Sequence, residues 1–354
     1  MNIYPDELKE LPRSHPIPQG IVAEVGRNAI RIGLTGDQGR LDQGSVREYA
    51  PSAHPTIASA ISTFGRETGL KSLPQRACIA VSGLARGGTI SVTGSRWILS
   101  RAGLTAMLRT PPLVINDFAA NAWAMSDPHC CGQIEPMTPT VPRTDLPGTY
   151  CMIGLGSGLG VAIMSRDEHG SVNVLPTEGG HLGLMHGLEG ADRILNKLSV
   201  SGAPVTAEML LSGGGLLSTY KAICALEGRP SACTSLSQLL SPATINSDRA
   251  ARETLDLMSR AFWHFAGNMA LAYGAWDGLI VTGSIAAALK STLRRPDLAC
   301  AFNLRGFWTR QLANIPKATI SFQYAELEGA AVALLMSEQP KRAARISALT
   351  ADAA

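Results

Sequence analysis

The chain has 354 residues, of which 45% are hydrophobic and 17% are charged, and this is the composition of a globular protein long enough for two domains. The formal net charge of +3 and the scatter of lysines and arginines along the chain argue against a nucleic-acid partner and against an anionic membrane surface. The sequence contains no run of about 18 apolar residues, so it does not predict a membrane span.

The N-terminal segment and the cysteines indicate a cytoplasmic protein. Residues 1–19 contain four prolines and no apolar stretch after a basic start, which predicts a flexible extension and not a secretory signal. Seven cysteines, an odd number, predict reduced thiols and therefore the cytoplasm. Cys78 and Cys151 stand in apolar runs, and we expect them in the core.

The first third of the chain predicts a hairpin followed by strands and helices. Residues 21–34 form two apolar runs around a Gly-Arg-Asn turn, which is typical of a β-hairpin. A helix with Ser100 as its N-cap is expected at 100–109. Further strands are expected at 77–83, 89–94 and 112–118, the last of them followed by a helix.

A second hairpin, at 149–166, has the same style as the first and suggests a duplicated architecture. Strands followed by helices throughout predict an α/β protein with mostly buried sheets. The remaining elements are a loop at 136–147, helices at 207–211, 215–227, 249–273 and 327–338, a strand–turn–helix unit at 278–293 and a loose tail at 341–354.

The turn of the second hairpin has glycine at alternate positions, namely Gly154, Gly156, Gly158 and Gly160. Glycine costs folding entropy, so the pattern predicts that something uses the bare backbone. The exposed amides and the Ser157 hydroxyl suit phosphate oxygens. A tight hairpin without a ligand is the alternative. A dinucleotide-binding fingerprint is disfavoured because a strand follows the motif where that fingerprint needs a helix.

Asn116 and Asp117 follow an apolar strand. Because ligands of α/β sheets collect at the carboxyl ends of strands, Asp117 is a candidate general base for a substrate hydroxyl that attacks a phosphoryl group. The alternative is that Asn116 or Asp117 caps the helix that follows.

Other polar positions suit a sugar or a nucleotide. The Glu-Gly-Gly-His segment at 178–181 sets a carboxylate and an imidazole around two glycines, and these groups suit vicinal sugar hydroxyls. Zinc is the alternative ligand, although only His186 lies near. Glu208 is a further carboxylate or an ordinary helix residue. Gly283 lies in a strand-to-helix turn that either receives a base or ribose or has no ligand.

Taken in order, these motifs resemble the bacterial glucokinases of the hexokinase–actin-like ATPase superfamily, from about residue 21 to residue 336. INDFAANAWA resembles the catalytic-aspartate segment, GLGSGLGVA the second phosphate loop and LPTEGGH the sugar-binding segment. Further segments that resemble the family are AEMLLSGGGLLSTYKAI, HFAGNMALAYGAWDGLIVTGSI and LEGAAVALL.

The resemblance implies an α/β, two-domain actin-like ATPase fold of the ribonuclease H-like type with an interdomain cleft. It implies a small domain at 20–125 plus 325–340 and a large domain at 126–324. It also implies phosphorylation of the 6-hydroxyl of glucose by ATP with Mg²⁺, in a homodimer. By matching position, the resemblance implies Asp117 as the general base and Glu24 as a candidate to hold Mg²⁺ through water. The implied sugar ligands are Asn116, Glu178, His181, Glu208 and the position of Gly94. The implied nucleotide ligands are Gly26, Arg27, Asn28, Gly156, Ser157, Gly158 and Gly283.

Three segments depart from the family pattern, the mildest being the second phosphate loop, where Leu155-Gly156-Ser157 replaces Pro-Gly-Thr and keeps a hydroxyl. The first phosphate loop, usually Asp-x-Gly-Gly-Thr-Asn, is Glu-Val-Gly-Arg-Asn-Ala at 24–29. Arg27 replaces a glycine there, and its guanidinium either pairs with a phosphate or blocks the site. Gly94 stands where the family has a sugar-binding asparagine, and losing such a hydrogen bond weakens binding by about 0.5–1.5 kcal/mol.

Three functions fit these observations. An active hexose kinase of the glucokinase type is favoured, because nearly all sugar-facing groups are present. The alternatives are a non-catalytic sugar-binding or regulatory protein on the kinase fold, and a kinase for another sugar or another phosphoryl donor.

Overall fold

The structure is a computed structural model in which the chain forms two compact units. One unit ends at Val114 and includes the chain again from Ala333, and the other is Ile115–Val332. The predicted extension, apart from Gln19, and the predicted tail lie outside the described residues. The described residues are 19–36, 38–95, 97–131, 134–184, 188, 191–199, 204–304, 306–321 and 323–337.

A sheet forms the centre of the first unit. Its strands, within the described residues, are β1 (Gly20–Val25), β2 (Ile30–Thr35), β3 (Leu41–Tyr49), β4 (Ala77–Val81) and β7 (Leu113–Asn116), and β5 (Thr89–Ser91) and β6 (Ile98–Ser100) form a separate pair. The order in the sheet is β3-β2-β1-β4-β7. β1 and β2 are antiparallel neighbours, which confirms the predicted hairpin, and β4 runs parallel to β1.

The position of a strand in this sheet explains its sequence. β4 is central and all of its residues are buried, so its sequence is a continuous apolar run. β3 lies at the edge and buries only Leu41, Ser45 and Tyr49 of its largely polar sequence. Its lack of an apolar run is the reason that the sequence did not predict it.

Two helices, α1 (Ile57–Glu67) and α2 (Arg101–Leu108), contribute to the core of this unit. α1 buries Ile57, Ile61 and Phe64, which share one helical face. The Ser100 hydroxyl accepts a hydrogen bond from the amide of Gly103 at 3.2 Å, which confirms Ser100 as the N-cap of α2.

A second sheet forms the centre of the second unit. Its strands, within the described residues, are β8 (Ile134–Pro136), β9 (Gly148–Leu155), β10 (Leu159–Arg166), β11 (Val172–Thr177), β12 (Gly278–Thr282) and β13 (Lys317–Ile320). The order is β11-β10-β9-β12-β13-β8. β9 and β10 are antiparallel neighbours, which confirms the second predicted hairpin, and β12 runs parallel to β9.

The second unit is rich in helices. The predicted helix at 249–273 is confirmed with the same bounds; Asp248 caps its start and Gly274, at φ 63°, ends it. The helices are α3 (Asp117–Ala124), α4 (Pro128–Cys131), α5 (Asp192–Leu198), α6 (Ala207–Leu210), α7 (Gly213–Leu226), α8 (Leu236–Leu239), α9 (Pro242–Ser247), α10 (Arg249–Tyr273), α11 (Ser284–Ala288), α12 (Lys290–Leu293), α13 (Pro296–Ala299), α14 (Thr309–Ala313) and α15 (Ala325–Met336), which crosses the unit boundary. Short 3-10 helices lie at Pro51–Ala53 in the first unit and at Gly179–His181, Cys300–Phe302 and Gly306–Trp308 in the second.

The second sheet has an apolar cluster on each face. Cys151 and Ile153 of β9 point into the cluster that α7 and α10 cover. Tyr150 and Met152 point the other way, into the cluster that contains Ala122 of α3. Because side chains alternate along a strand, two-sided burial explains why β9 is a continuous apolar run. No helix in the described ranges is both long and apolar enough to span a bilayer.

Several predicted bounds were wrong. The strand expected at 89–94 ends at Ser91, because the chain turns at Gly94, whose φ is 68°. The strand expected to reach residue 118 ends at Asn116, and α3 begins directly after it. The last helix begins at Ala325, two residues before the predicted start. Cys78 and Cys151 are buried, as predicted.

Lys317, the first residue of β13, has a buried ammonium group. Its Nζ donates a hydrogen bond to the carbonyl of Ile315 at 2.9 Å and lies 4.2 Å from the centroid of the Phe302 ring. Burial lowers the pKa of Lys317 to about 8, because the charged form loses its hydration.

We expect Lys317→Met to remove a pH dependence of stability. The pKa of about 8 in the folded chain lies below the ordinary value of 10.5, so between these values the unfolded chain binds a proton that the folded chain does not. The free energy of unfolding of the unmodified protein, measured against the variant, should therefore rise by on the order of 3 kcal/mol from about pH 8 to about pH 10.5. Urea unfolding of both proteins measures this rise, and parallel curves would contradict the assignment.

Candidate functional site

The ring of Phe118 fills the space beside two glycines of the β9–β10 hairpin. A Cβ atom at Gly154 would lie 2.2 Å from Phe118 Cε2, and one at Gly160 would lie 2.4 Å from Phe118 Cγ. Neither distance allows a side chain, so both positions need glycine. Packing against Phe118 therefore accounts for these two glycines, and any role of theirs toward phosphate stays a prediction. The sequence shows an aromatic residue directly after the aspartate, but it does not show that the Phe118 ring packs on the hairpin.

The inner residues of the hairpin, 156–158, form its turn. The amide of Gly156 donates to the carbonyl of Gly158 at 3.0 Å, and the carbonyl of Gly156 accepts from the amide of Gly213 at 2.9 Å. In the part of the chain that the structure describes, the amides of Ser157 and Gly158 have no hydrogen-bond partner. These amides and the exposed Ser157 hydroxyl are the donors that remain for an anion.

Glu208, in the first turn of α6, lies against the end of this hairpin. Its Oε2 accepts a hydrogen bond from the amide of Leu159 at 2.9 Å. A Cβ atom at Gly158 would lie 2.7 Å from the same oxygen, which explains the third glycine of the pattern. One carboxylate oxygen of Glu208 thus positions the hairpin, and Oε1 has no hydrogen-bond partner among the described residues.

Glu178 precedes the 3-10 helix Gly179–His181 and His181 is its last residue, so these two residues flank the two glycines. A Cβ atom at Gly180 would lie 2.2 Å from the carbonyl oxygen of Leu159, so the chain packs directly against the backbone of β10. Both flanking side chains are more than half exposed, and His181 Nε2 lies 3.9 Å from Glu178 Oε2. The glycines therefore serve close packing and leave the two polar side chains accessible.

The backbone of Leu159 joins these elements. Its amide binds Glu208, and its carbonyl faces Gly180, next to His181. The elements that carry the predicted sugar ligands Glu178, His181 and Glu208 thus meet at the first residue of β10. The sequence had no signal for Leu159, because its contribution comes from the main chain.

Asn116 and Asp117 lie where β7 ends and α3 begins. Asn116 Oδ1 accepts a hydrogen bond from the amide of Ala119 at 2.9 Å, so the interpretation of Asn116 as a helix cap is confirmed. Asp117 Oδ1 accepts from the amide of Phe118 at 2.8 Å. The helix N-terminus favours an ionised carboxylate at this position. The half-buried Asp117 directly precedes the aromatic ring that packs on the hairpin.

Gly283, the predicted adenosine-side residue, is required by the local structure of its turn. Its φ is 103°, and a Cβ atom there would lie 2.2 Å from the carbonyl oxygen of Leu155. The turn between β12 and α11 therefore needs glycine for its own packing. A role beside the nucleotide stays a prediction.

In the first unit, Glu24 belongs to a charged ladder across β1, β2 and β3. Arg31 Nη1 lies 2.8 Å from Glu24 Oε2, and Arg31 Nε lies 2.7 Å from Glu48 Oε2. Burial opposes the charge of Arg31, but the two carboxylates outweigh it and raise the pKa of Arg31 above its ordinary value. One oxygen of Glu24 is therefore engaged by a cation, and its role as a Mg²⁺ ligand through water stays a prediction.

The other predicted residues of the first unit lie near the carboxyl ends of β1 and β4. Gly26 donates its amide to the carbonyl of Ala29 at 3.0 Å and closes the β1–β2 turn, and Arg27 and Asn28 at its tip are exposed. The stem of Arg27 lies against Gly94.

The donor groups suit a nucleotide with its metal. No group of three or more His, Cys, Asp or Glu side chains in the described ranges is arranged to hold a metal ion. Mg²⁺ in phosphoryl-transfer sites commonly takes one or two carboxylates, with phosphates and water as its other ligands. The free amides of Ser157 and Gly158 fit phosphate oxygens, and Glu24 and Asp117 are the carboxylates in the predicted set.

Comparison with known proteins decides the family. A sequence model of the family described as Glucokinase matches residues 21–337. The chain belongs to the glucokinase family. It is 31% identical over 316 residues to the glucokinase of Stenotrophomonas maltophilia strain K279a, which covers 88% of this chain and 93% of that protein. It is 30% identical over 317 residues to the glucokinase of Xanthomonas oryzae pv. oryzae strain MAFF 311018, with 88% and 93% covered.

Solved structures confirm the fold of this glucokinase-family chain. The glucokinase of an Antarctic psychrotroph has a TM-score of 0.76 at 25% identity and covers 89% of this chain and 98% of that one. The glucokinase of Balamuthia mandrillaris in complex with glucose has a TM-score of 0.72 at 18% identity, with 89% and 92% covered. A ROK-family glucokinase of Streptomyces griseus in complex with glucose and AMPPNP has a TM-score of 0.59 at 18% identity, with 88% and 97% covered. The predicted actin-like ATPase fold is confirmed.

The protein is therefore a sugar kinase, that is, a phosphotransferase. The roles assigned to single residues, the homodimer and the cytoplasmic location stay predictions. The domain bounds predicted from the resemblance also stay predictions.

We expect Gly154→Ala to destabilise this protein and Gly156→Ala to leave its stability nearly unchanged. The new methyl group at 154 would overlap the Phe118 ring, whereas the nearest atom to a Cβ at 156 is the Gly158 oxygen at 4.0 Å. Overpacking of this kind typically costs about 1–3 kcal/mol. Thermal and urea unfolding of both variants measure the difference. Equal stability of the two would contradict the packing of Phe118 on the hairpin.

Proposed function

We propose that this glucokinase-family chain transfers the γ-phosphoryl group of ATP to the 6-hydroxyl of glucose and releases glucose 6-phosphate and ADP. The observation that carries the proposal is the cluster of Glu178, His181 and Glu208 around the backbone of Leu159. The names of the relatives, and the glucose and AMPPNP in the complexes of the Balamuthia and Streptomyces proteins, support the choice of glucose and ATP.

The sugar would be held mainly through its hydroxyl groups. The exposed Glu178 carboxylate and Oε1 of Glu208 accept hydrogen bonds from hydroxyls, and neutral His181 can donate or accept one. The Leu159 amide fixes one oxygen of Glu208, and glycine packing fixes the backbone that carries Glu178 and His181, which lowers the ordering cost of binding. Asn116, whose oxygen caps α3, would contribute its amide group.

Asp117 would act as the general base. Its carboxylate takes the proton from the 6-hydroxyl as that oxygen forms a bond to the γ-phosphorus, and the bond from phosphorus to the ADP oxygen breaks. The hydrogen bond from the Phe118 amide and the start of α3 hold the carboxylate in place before the reaction. Phosphoryl transfer depends mainly on positioning, and this arrangement supplies it.

The donor phosphates would bind the amides of Ser157 and Gly158, with Gly26 and Asn28 as further ligands and Gly283 near the adenosine. Mg²⁺, when bound, neutralises phosphate charge, and Glu24 would hold it through water. This assignment rests on the matching positions in the family and on the amides that remain available at the hairpin turn.

Asp117→Asn is expected to lower kcat by at least about a hundredfold and to leave glucose binding within about twofold. The amide keeps an oxygen that accepts from Phe118, but it cannot take a proton. Asp192→Asn is the matched control, because Asp192 is an exposed aspartate at the start of α5. A coupled assay and glucose titration test both variants. Full activity of Asp117→Asn would remove Asp117 from this role.

ATP with Mg²⁺ is expected to raise the melting temperature beyond the rise that glucose gives alone, by a few degrees at saturating ligand. Thermal denaturation with glucose, with ATP and Mg²⁺, and with both measures this. A rise with glucose and none with nucleotide would favour a non-catalytic sugar-binding protein. A panel of hexoses and phosphoryl donors in the coupled assay would identify a different substrate or donor.

A further inference from the structure

The side chain of Arg27 occupies the space that a side chain at position 94 would need. A Cβ atom at Gly94 would lie 3.0 Å from Arg27 Cδ, 3.3 Å from its Nε and 3.6 Å from its Cζ. Gly94 also has a φ of 68°, a conformation that asparagine tolerates better than most residues. A side chain at 94 is therefore opposed both by the positive φ and by the Arg27 side chain, which would have to move by a few tenths of an ångström. Two departures from the family pattern, at positions 27 and 94, therefore lie in direct contact with each other.

Among the described residues, the guanidinium of Arg27 has no polar partner, unlike that of Arg31 in the same hairpin. Arg31 pairs with Glu24 and Glu48. The exposed Arg27 forms no hydrogen bond or ion pair with any described residue. Packing of its stem on Gly94 directs the head group toward this position, where Thr93 is also exposed. A positioned and unpaired guanidinium is a group that can bind a ligand oxygen.

We propose that Arg27 is a specificity-determining residue that binds the sugar substrate in place of a side chain at position 94. The proposal rests on the proposed sugar-kinase function. Guanidinium has five donors and no acceptor, whereas an asparagine amide both donates and accepts. Arg27 therefore selects a substrate oxygen that accepts hydrogen bonds, and it gives no partner to a hydroxyl that must donate.

The test is a double-mutant cycle of Arg27→Gly and Gly94→Asn, with KM measured separately for glucose and for ATP. Arg27→Gly should raise the KM for glucose about tenfold and leave the KM for ATP within about twofold. Gly94→Asn alone should also raise the KM for glucose about tenfold, because the new side chain displaces Arg27. The double variant should return to within about threefold of the unmodified protein, because asparagine then has room to bind the sugar.

Two further variants separate the causes. Arg27→Met keeps a stem of similar bulk and loses the charge, so it should match Arg27→Gly. Gly69→Asn is the control for backbone strain, because Gly69 has the same φ of 68° with nothing within 4 Å of its Cβ position, and it should leave both KM values unchanged.

Other outcomes overturn the proposal. A rise in the KM for ATP without a rise for glucose would assign Arg27 to the donor phosphates. Effects of the two single changes that simply multiply would show that positions 27 and 94 do not share space. If the unmodified protein phosphorylates no sugar, the proposed function fails. The sugar-induced rise in melting temperature of the same variants then decides the inference by itself, and a lack of any such rise overturns it too.

Discussion

The contact of the Phe118 ring with Gly154 and Gly160 is the constraint on which the candidate site depends. Asp117 is the preceding residue, so the packing of the Phe118 ring, together with the hydrogen bond from the Phe118 amide, sets where its carboxylate stands relative to the hairpin turn. The ring needs glycine on both strands, and glycine weakens a strand by roughly 0.5–1 kcal/mol compared with alanine. Burial of β9 on both faces offsets this loss, because its alternate side chains enter separate apolar clusters. The same contact therefore contributes to the packing of the core and to the position of the candidate base.

A second constraint acts through a carboxylate with a divided role. Glu208 uses one oxygen to hold the Leu159 amide and has the other available for a ligand. The buried Gly179 and Gly180 bring Glu178 and His181 to the same strand end, where the Gly179 amide donates to Thr177 Oγ1 and the Thr177 hydroxyl donates to the Val161 carbonyl of β10. Groups that meet a sugar are thus supported by elements that are separate in the sequence, which limits how far any of them can move alone.

The sequence predicted the elements with strong patterns and missed causes that lie far apart along the chain. Both hairpins and α10 followed from apolar runs and helical spacing, whereas the edge strand β3 has too few apolar residues to be found. The alternate glycines are evident in the sequence, but the packing of the Phe118 ring against two of them is not, because Phe118 is distant from the hairpin in sequence. Likewise, the sequence alone does not show that Gly94 and Arg27 are in contact, because they are distant along the chain. The helix-cap role of Asn116 was correctly kept as an alternative, because cap and strand end share one pattern.

Much of the site is supported by main-chain atoms: the amide and carbonyl of Leu159, the carbonyl of Leu155 beside Gly283, and the carbonyl of Gly156 that receives Gly213. Every amino acid except proline carries these atoms. Homologous chains can therefore exchange most side chains along these strands and still inherit the same scaffold. At about 30% identity such a framework can persist in full, and the glycines that it requires are the residues that mark it in the sequence.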